Sequence, residues 1–128
     1  MNVDKVLAAY IEAALWSSCD DEGVPLDRNY SQEDIAEGSR AKMRADCARF
    51  VEETVEDDRT AYALACPASY TPEEMFGHDF WLTRTWSGVG FWDRGWLPED
   101  LRDRLTDRAR ACGEVWMYVG DDGQIHCD

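Results

Sequence analysis

Four of the chain's six tryptophans fall within "GHDFWLTRTWSGVGFWDRGW", residues 77–96, beside two phenylalanines and four glycines. Each aromatic side chain buries about 150–250 Å² when it enters a core. Any fold for this chain must therefore be assembled around that segment. Its aromatic and β-branched residues predict two strands, Phe80–Thr85 and Gly90–Asp93, joined by a glycine-containing connection. In that hairpin Phe80, Leu82 and Phe91 pack on helices, with Trp92 as a further candidate, and Asp–Arg pairs tie the edges. Trp86 in the loop and Trp96 at the exit stand out as candidate exposed anchors, since six tryptophans crowd a core this small.

The flanking sequence reads mainly as helix. Val3, Val6, Leu7, Tyr10, Ile11, Ala14 and Leu15 recur at three- and four-residue spacing, which predicts a helix over 3–16 capped by Asn2. Gly23 and Pro25 end it in a turn-rich segment. Ser31 followed by Asp34 marks a short capped turn. A long helix is expected from Glu37 to Asp57, with Met43, Cys47, Phe50, Val51, Thr54 and Val55 as its inner stripe. "TPEEMFG" reads as a compact helix with Thr71 as cap, Pro72 in the first turn and Gly77 as terminator. A further helix begins at Pro98 and stops at Gly113, with Leu101, Leu105, Ala109 and Cys112 on one face. Val115–Val119 and Gln124–Cys127 read as strands around "DDG". The expected fold is thus α+β: N-terminal helices packed on a small antiparallel sheet, with one helix between two C-terminal hairpins. Its 128 residues fit one domain, 1–128.

Five cysteines, with no C-x-x-C pair, suit neither an even disulfide framework nor a four-cysteine zinc site. They read as reduced thiols in a cytoplasmic protein. No apolar run approaches the roughly 18 residues of a membrane span. The N-terminus carries Asp4 and Glu12 and no basic leader, which argues against a secretory signal.

Charge is the one extreme property. There are 27 acids against 13 bases, a formal net charge of -14. Such a field repels nucleic acid and anionic membranes and draws basic surfaces towards it. Residues 1–58 hold 15 of the acids and 6 of the bases, so the N-terminal half is the more acidic. Glu52, Glu53, Glu56, Asp57 and Asp58 crowd what is expected to be the C-terminal end of the long helix. There they oppose the helix dipole. With Asp20, Asp21 and Glu22 they form the candidate partner-binding set, to which Trp86 and Trp96 add aromatic contacts.

The aromatic segment also carries His78, Asp79, Arg84 and Asp93. Across a hairpin the two aspartates would lie near one another, as acid and base or as metal ligands, with Arg84 on an anion. Two separated carboxylates are too few for a metal site, and no H-E-x-x-H or D-x-D pattern supports them. Gly88, Gly90 and Gly95 lack the Lys-Ser/Thr ending of a phosphate loop. "DDGQIHCD" lacks the downstream glutamate of a calcium loop. No metal and no cofactor is expected.

The combination "GHDFWLTR…GVGFWDRG" followed by "GEVWMYVGDDGQI" resembles a family of small, acidic, functionally uncharacterised proteins encoded by tailed bacteriophages. "LDRNYSQEDIA" and "KMRADCARF" lend weaker support. The resemblance implies viral origin and expression inside a bacterial cytoplasm, and it brings no assigned activity. Relatives in that pattern run "LTRNGHGAGFWD", so their loop histidine falls at Ser87 here, which tells against catalysis.

Size, charge, aromatic anchors and this resemblance lead to one expectation above others. The chain is a phage-encoded binding protein that inhibits a host nucleic-acid-processing defence complex, of anti-CRISPR or anti-restriction type, through an acidic and DNA-mimicking surface. Its partner is then a host protein with a basic nucleic-acid-binding surface. Two alternatives stand beside it: a small hydrolase or ligand binder using His78, Asp79, Arg84 and Asp93, and a phage accessory or structural protein.

Overall fold

The computed structural model describes residues 1–128 and is α+β. Five α-helices precede one antiparallel pair: α1 (Val3–Ser17), α2 (Glu37–Glu53), α3 (Glu56–Ala65), α4 (Pro72–Arg84), α5 (Glu99–Ala111), β1 (Met117–Val119) and β2 (Ile125–Cys127). Short 3-10 turns at Leu26–Arg28, Gln32–Asp34 and Phe91–Asp93 fill the connections. No helix is long and apolar enough to cross a membrane.

Several local expectations hold. Asn2 caps α1, its side chain accepting the N–H groups of Asp4 at 2.9 Å and Lys5 at 3.2 Å. Ser31 and Asp34 form a reciprocal capping box. Gly113 follows α5 in the left-handed region, φ 88°, where a side chain would be strained. β1 and β2 pair with Tyr118 opposite His126, around the turn that contains Gly123.

The first hairpin is absent. α4 does not stop at Gly77 but runs on to Arg84, and the segment expected as a second strand is the 3-10 turn Phe91–Asp93. The physical reason is burial. Phe80, Trp81, Leu82, Thr83 and Arg84 are all buried, because α4 is the central helix, with α1 on one side and α5 on another. A helix covered on most sides shows little polar face, so its period is hidden. Gly77 serves this packing rather than a cap. A Cβ there would lie 2.3 Å from the Val6 carbonyl oxygen, so only glycine lets α1 come this close.

One connected core of 28 buried residues draws on all five helices and both strands. Its centre is aromatic. Phe50 of α2 stacks on Phe80 of α4, ring centroids 4.0 Å apart and 3° from parallel. Phe76 and Phe91 adjoin Phe50 at 5.1 and 5.9 Å, and with Tyr62 they meet one another at 5.1–5.8 Å with steep interplanar angles. Offset and edge-on pairs of this kind each add about 0.5–1.5 kcal/mol beyond area burial.

Candidate functional site

The acidic cluster is built differently from the sequence expectation. The helix from Glu37 ends at Glu53, and Glu56 starts a new one. Thr54 and Val55 between them are extended, at ψ 117° and 149°. The break is held by Arg59, reaching back from α3. Its Nη1 donates to the carbonyls of Val51 at 2.6 Å and Thr54 at 2.7 Å. The Thr54 hydroxyl donates to the Phe50 carbonyl at 2.7 Å. The last carbonyls of α2 are thereby satisfied without helix continuation.

This break reverses the electrostatic reading for three residues. Glu56, Asp57 and Asp58 form the first turn of α3, where the dipole favours acids, rather than the last turn of a longer helix. Only Glu52 and Glu53 sit at a helix C-terminus. Asp58 is also removed from the candidate surface. It is 5% exposed, and Arg104 of α5 holds it through Nη2 at 2.9 Å and Nε at 3.2 Å. Arg108 stands 3.9 Å from its second oxygen. Asp58 locks α3 to α5 and is not available to a partner. Glu53 is tied to Arg49 at 2.9 Å. Glu52, Glu56 and Asp57 are exposed and have no cationic partner within the chain.

Asp20, Asp21 and Glu22 lie in a separate tight loop after α1. Asp20 is half-buried, and its carboxylate accepts the N–H groups of Glu22 at 2.9 Å and Val24 at 3.0 Å. That shapes the turn, closed by an isolated antiparallel bridge between Cys19 and Pro25. Asp21 and Glu22 are left exposed at its tip.

His78, Asp79, Arg84 and Asp93 do not converge on a pocket. Asp79 has no solvent exposure and is gripped by Arg94. The Tyr62 hydroxyl donates to it at 3.0 Å. Burial pushes the Asp79 carboxyl above its ordinary range, with Arg94 and Tyr62 pulling the other way. Arg84 works elsewhere. It donates to Asp46 at 2.9 Å, to the Tyr10 hydroxyl at 3.1 Å, and to the carbonyls of Cys112 and Gly113, each at 2.9 Å. It thus ties α4 to α1, α2 and the end of α5. His78 stands 3.4 Å from Glu12 of α1, and Asp93 is exposed on the 3-10 turn. No group of three or more His, Cys, Asp or Glu side chains could hold a metal ion. Arg84–Asp46 joins two helices and Arg94–Asp79 joins α4 to the segment after the 3-10 turn, where the hairpin expectation had Asp–Arg pairs tie strand edges.

The tryptophans divide sharply. Trp81 is buried, its Nε1 donating to the Ser17 hydroxyl at 2.9 Å. Trp96 is not an exposed anchor. It is half-buried and meets Tyr62 edge-on at 5.4 Å. Trp86 is 61% exposed, as expected of the loop, and is the only non-glycine residue with positive φ, 55°. The Arg110 guanidinium lies over its ring, 3.8 Å from the centroid. Trp92, Trp16 and Trp116 are also exposed, the last by 59%. Sequence reasoning missed Trp116 because it followed the apolar run of β1 and not its alternation. Met117 turns inward, so Trp116 and Tyr118 must turn outward.

Trp116 lines a cleft of about 290 Å³ between the end of α1 and the approach to β1. Ser17–Cys19 form one wall, Glu114–Met117 another, and Trp81, Thr85 and Ser87 complete it. Of the exposed tryptophans, Trp116 is the one that lines this depression.

No protein-family model, no curated protein and no solved structure matches this chain.

Proposed function

We propose that this chain is a binding protein whose acidic surface seats in a basic, nucleic-acid-binding groove of a host protein. In the full form of this reading it is phage-encoded, acts in the bacterial cytoplasm and inhibits a nucleic-acid-processing defence complex of anti-CRISPR or anti-restriction type. The observation that carries it is the set Glu52, Glu56 and Asp57, exposed around the α2–α3 joint and free of internal cations. Carboxylates already paired within a fold have little to offer a partner. These three have no ion-pair partner within the chain. The neighbouring helix α5 adds Glu99, Asp103 and Asp107, also exposed. A net charge of -14 steers such a surface towards basic grooves and away from nucleic acid itself.

The mechanism is occlusion. Carboxylates take the places of phosphates, and the enzyme's substrate is shut out. Catalysis by the chain itself has no support in the site geometry, since Asp79 and Arg84 are committed to internal ion pairs.

Capture from bacterial lysate on the immobilised chain tests the reading. The expected result is a nucleic-acid-binding protein that is eluted by added duplex DNA and by salt. A partner that ignores both, or no partner with a basic groove, overturns it.

A further inference from the structure

The cleft beside Trp116 borders a strand edge that nothing in the chain pairs. The Asp128 N–H donates to the Trp116 carbonyl at 3.0 Å, and the Gly120 N–H to the Gln124 carbonyl at 2.8 Å. Residues 116, 118 and 120 therefore face β2. Antiparallel alternation turns the N–H and C=O groups of Val115, Met117 and Val119 away from it. None of these outward groups finds a backbone partner. The far edge of β2, by contrast, is closed. The Ala36 N–H donates to the Ile125 carbonyl at 2.8 Å, and the Cys127 N–H donates to the Ser39 hydroxyl at 3.0 Å.

The wall across the cleft repeats the pattern. The Ser18 carbonyl accepts the Leu26 N–H at 2.9 Å, and the Asp20 N–H donates to the Val24 carbonyl at 2.9 Å. The Cys19 amide between them turns the other way and is also without a backbone partner. A slot thus lies between two segments of extended chain, each with unpaired backbone groups.

Open edges are templates for strand addition, and proteins usually blunt them with lysine, proline or a bulge. "EVWMYV", residues 114–119, has none of these. Its surroundings select the occupant. Glu114 lines the cleft, and no Lys or Arg is among the lining residues. Trp116 and Tyr118 present exposed rings on the outer face of the strand. Carboxylate and aromatic faces together suit a cationic side chain.

We infer that the β1 edge accepts an extended, basic peptide segment of the partner protein. Its backbone pairs with Val115 and Met117, and an Arg or Lys side chain lies across Trp116 towards Glu114. The inference rests on the reading of the partner as basic, and adds to the acidic face a second, sequence-selective contact.

The test uses the full chain and an alternating Arg-Val octapeptide, followed by amide NMR. The expected shifts concentrate at Val115, Met117 and Cys19. N-methylation of one edge of the peptide removes its donors and weakens binding about 10-fold or more. Trp116→Ala, at an exposed position, weakens it about 2- to 5-fold. No saturable binding, shifts confined to Glu52, Glu56 and Asp57, or indifference to N-methylation overturns the inference. The two readings fail separately. If the peptide misses the edge while E52K/E56K/D57K still loses the captured protein, only strand addition falls. If the peptide pairs with the edge but no basic partner is captured, the edge site stands and the occlusion reading falls.

Discussion

Arg94 grips Asp79 with two nitrogens, Nε at 2.9 Å and Nη2 at 2.6 Å from the same carboxylate oxygen, and Asp79 has no exposed surface. The pair joins α4 to the segment after the Phe91–Asp93 turn. Asp79 and Arg84 of the candidate catalytic set are thereby ties between elements, while Asp93 stays exposed and unpaired. Asp79→Asn leaves the Arg94 guanidinium without its counter-ion and is expected to cost about 3–5 kcal/mol. Replacing both partners with apolar residues of similar volume costs less than the single change. Urea unfolding of the three proteins measures this. A single variant as stable as the parent contradicts it.

The same carboxyl sets a pH dependence. Burial raises its pKa above the ordinary value of 3.8. From 3.8 upward to the raised value, the native chain holds this proton while the unfolded chain has released it. Native Asp79 binds more protons there, so its contribution to stability falls as pH rises through the window. The stability of the parent relative to Asp79→Asn is therefore expected to decline over that interval. A relative stability that climbs instead places the carboxyl below its ordinary range.

Gly77 and Gly38 make a controlled contrast. A Cβ at Gly77 meets the Val6 backbone at 2.3 Å, whereas one at Gly38, in α2, meets nothing within 4 Å. Gly77→Ala is expected to lose about 1–3 kcal/mol by forcing α1 and α4 apart. Gly38→Ala is expected to gain about 0.5–1 kcal/mol from helix propensity. Thermal unfolding distinguishes them, and equal effects contradict the close helix crossing.

The misread segments share a cause. α1, α5 and the C-terminal pair each expose one side, so their apolar periods and their caps at Asn2 and Gly113 were legible. α4 is covered on most sides, and Phe80–Arg84 reads as an unbroken aromatic run that suits strand or helix equally. The α2–α3 break carries no Pro or Gly. It depends on Arg59 reaching back to Val51, a contact between elements that local propensity does not encode. The acidic residues were found by charge alone. Which of them are free could not be, because the burial of Asp58 depends on Arg104, 46 positions away.

The thiols rank by access. All five cysteines are free, Cys19 exposed and Cys47 and Cys127 buried. Burial pushes the Cys127 thiol up to about 11 and Cys47 higher still. Native alkylation is expected to label Cys19 first, with Cys47 and Cys127 reacting only on unfolding, because the thiolate is the nucleophile. Peptide mapping checks the order. Early labelling of Cys47 contradicts the packed core around Met43, Phe50 and Tyr10.

The proposed contact of Glu52, Glu56 and Asp57 is with a basic groove. Its most direct measurement is the association rate of the captured partner with the parent and with E52K/E56K/D57K, over a range of salt. The parent rate is expected to fall steeply with salt, and the variant to be slower by about 10-fold or more at low salt. Equal rates for the two proteins, or a parent rate indifferent to salt, contradict it.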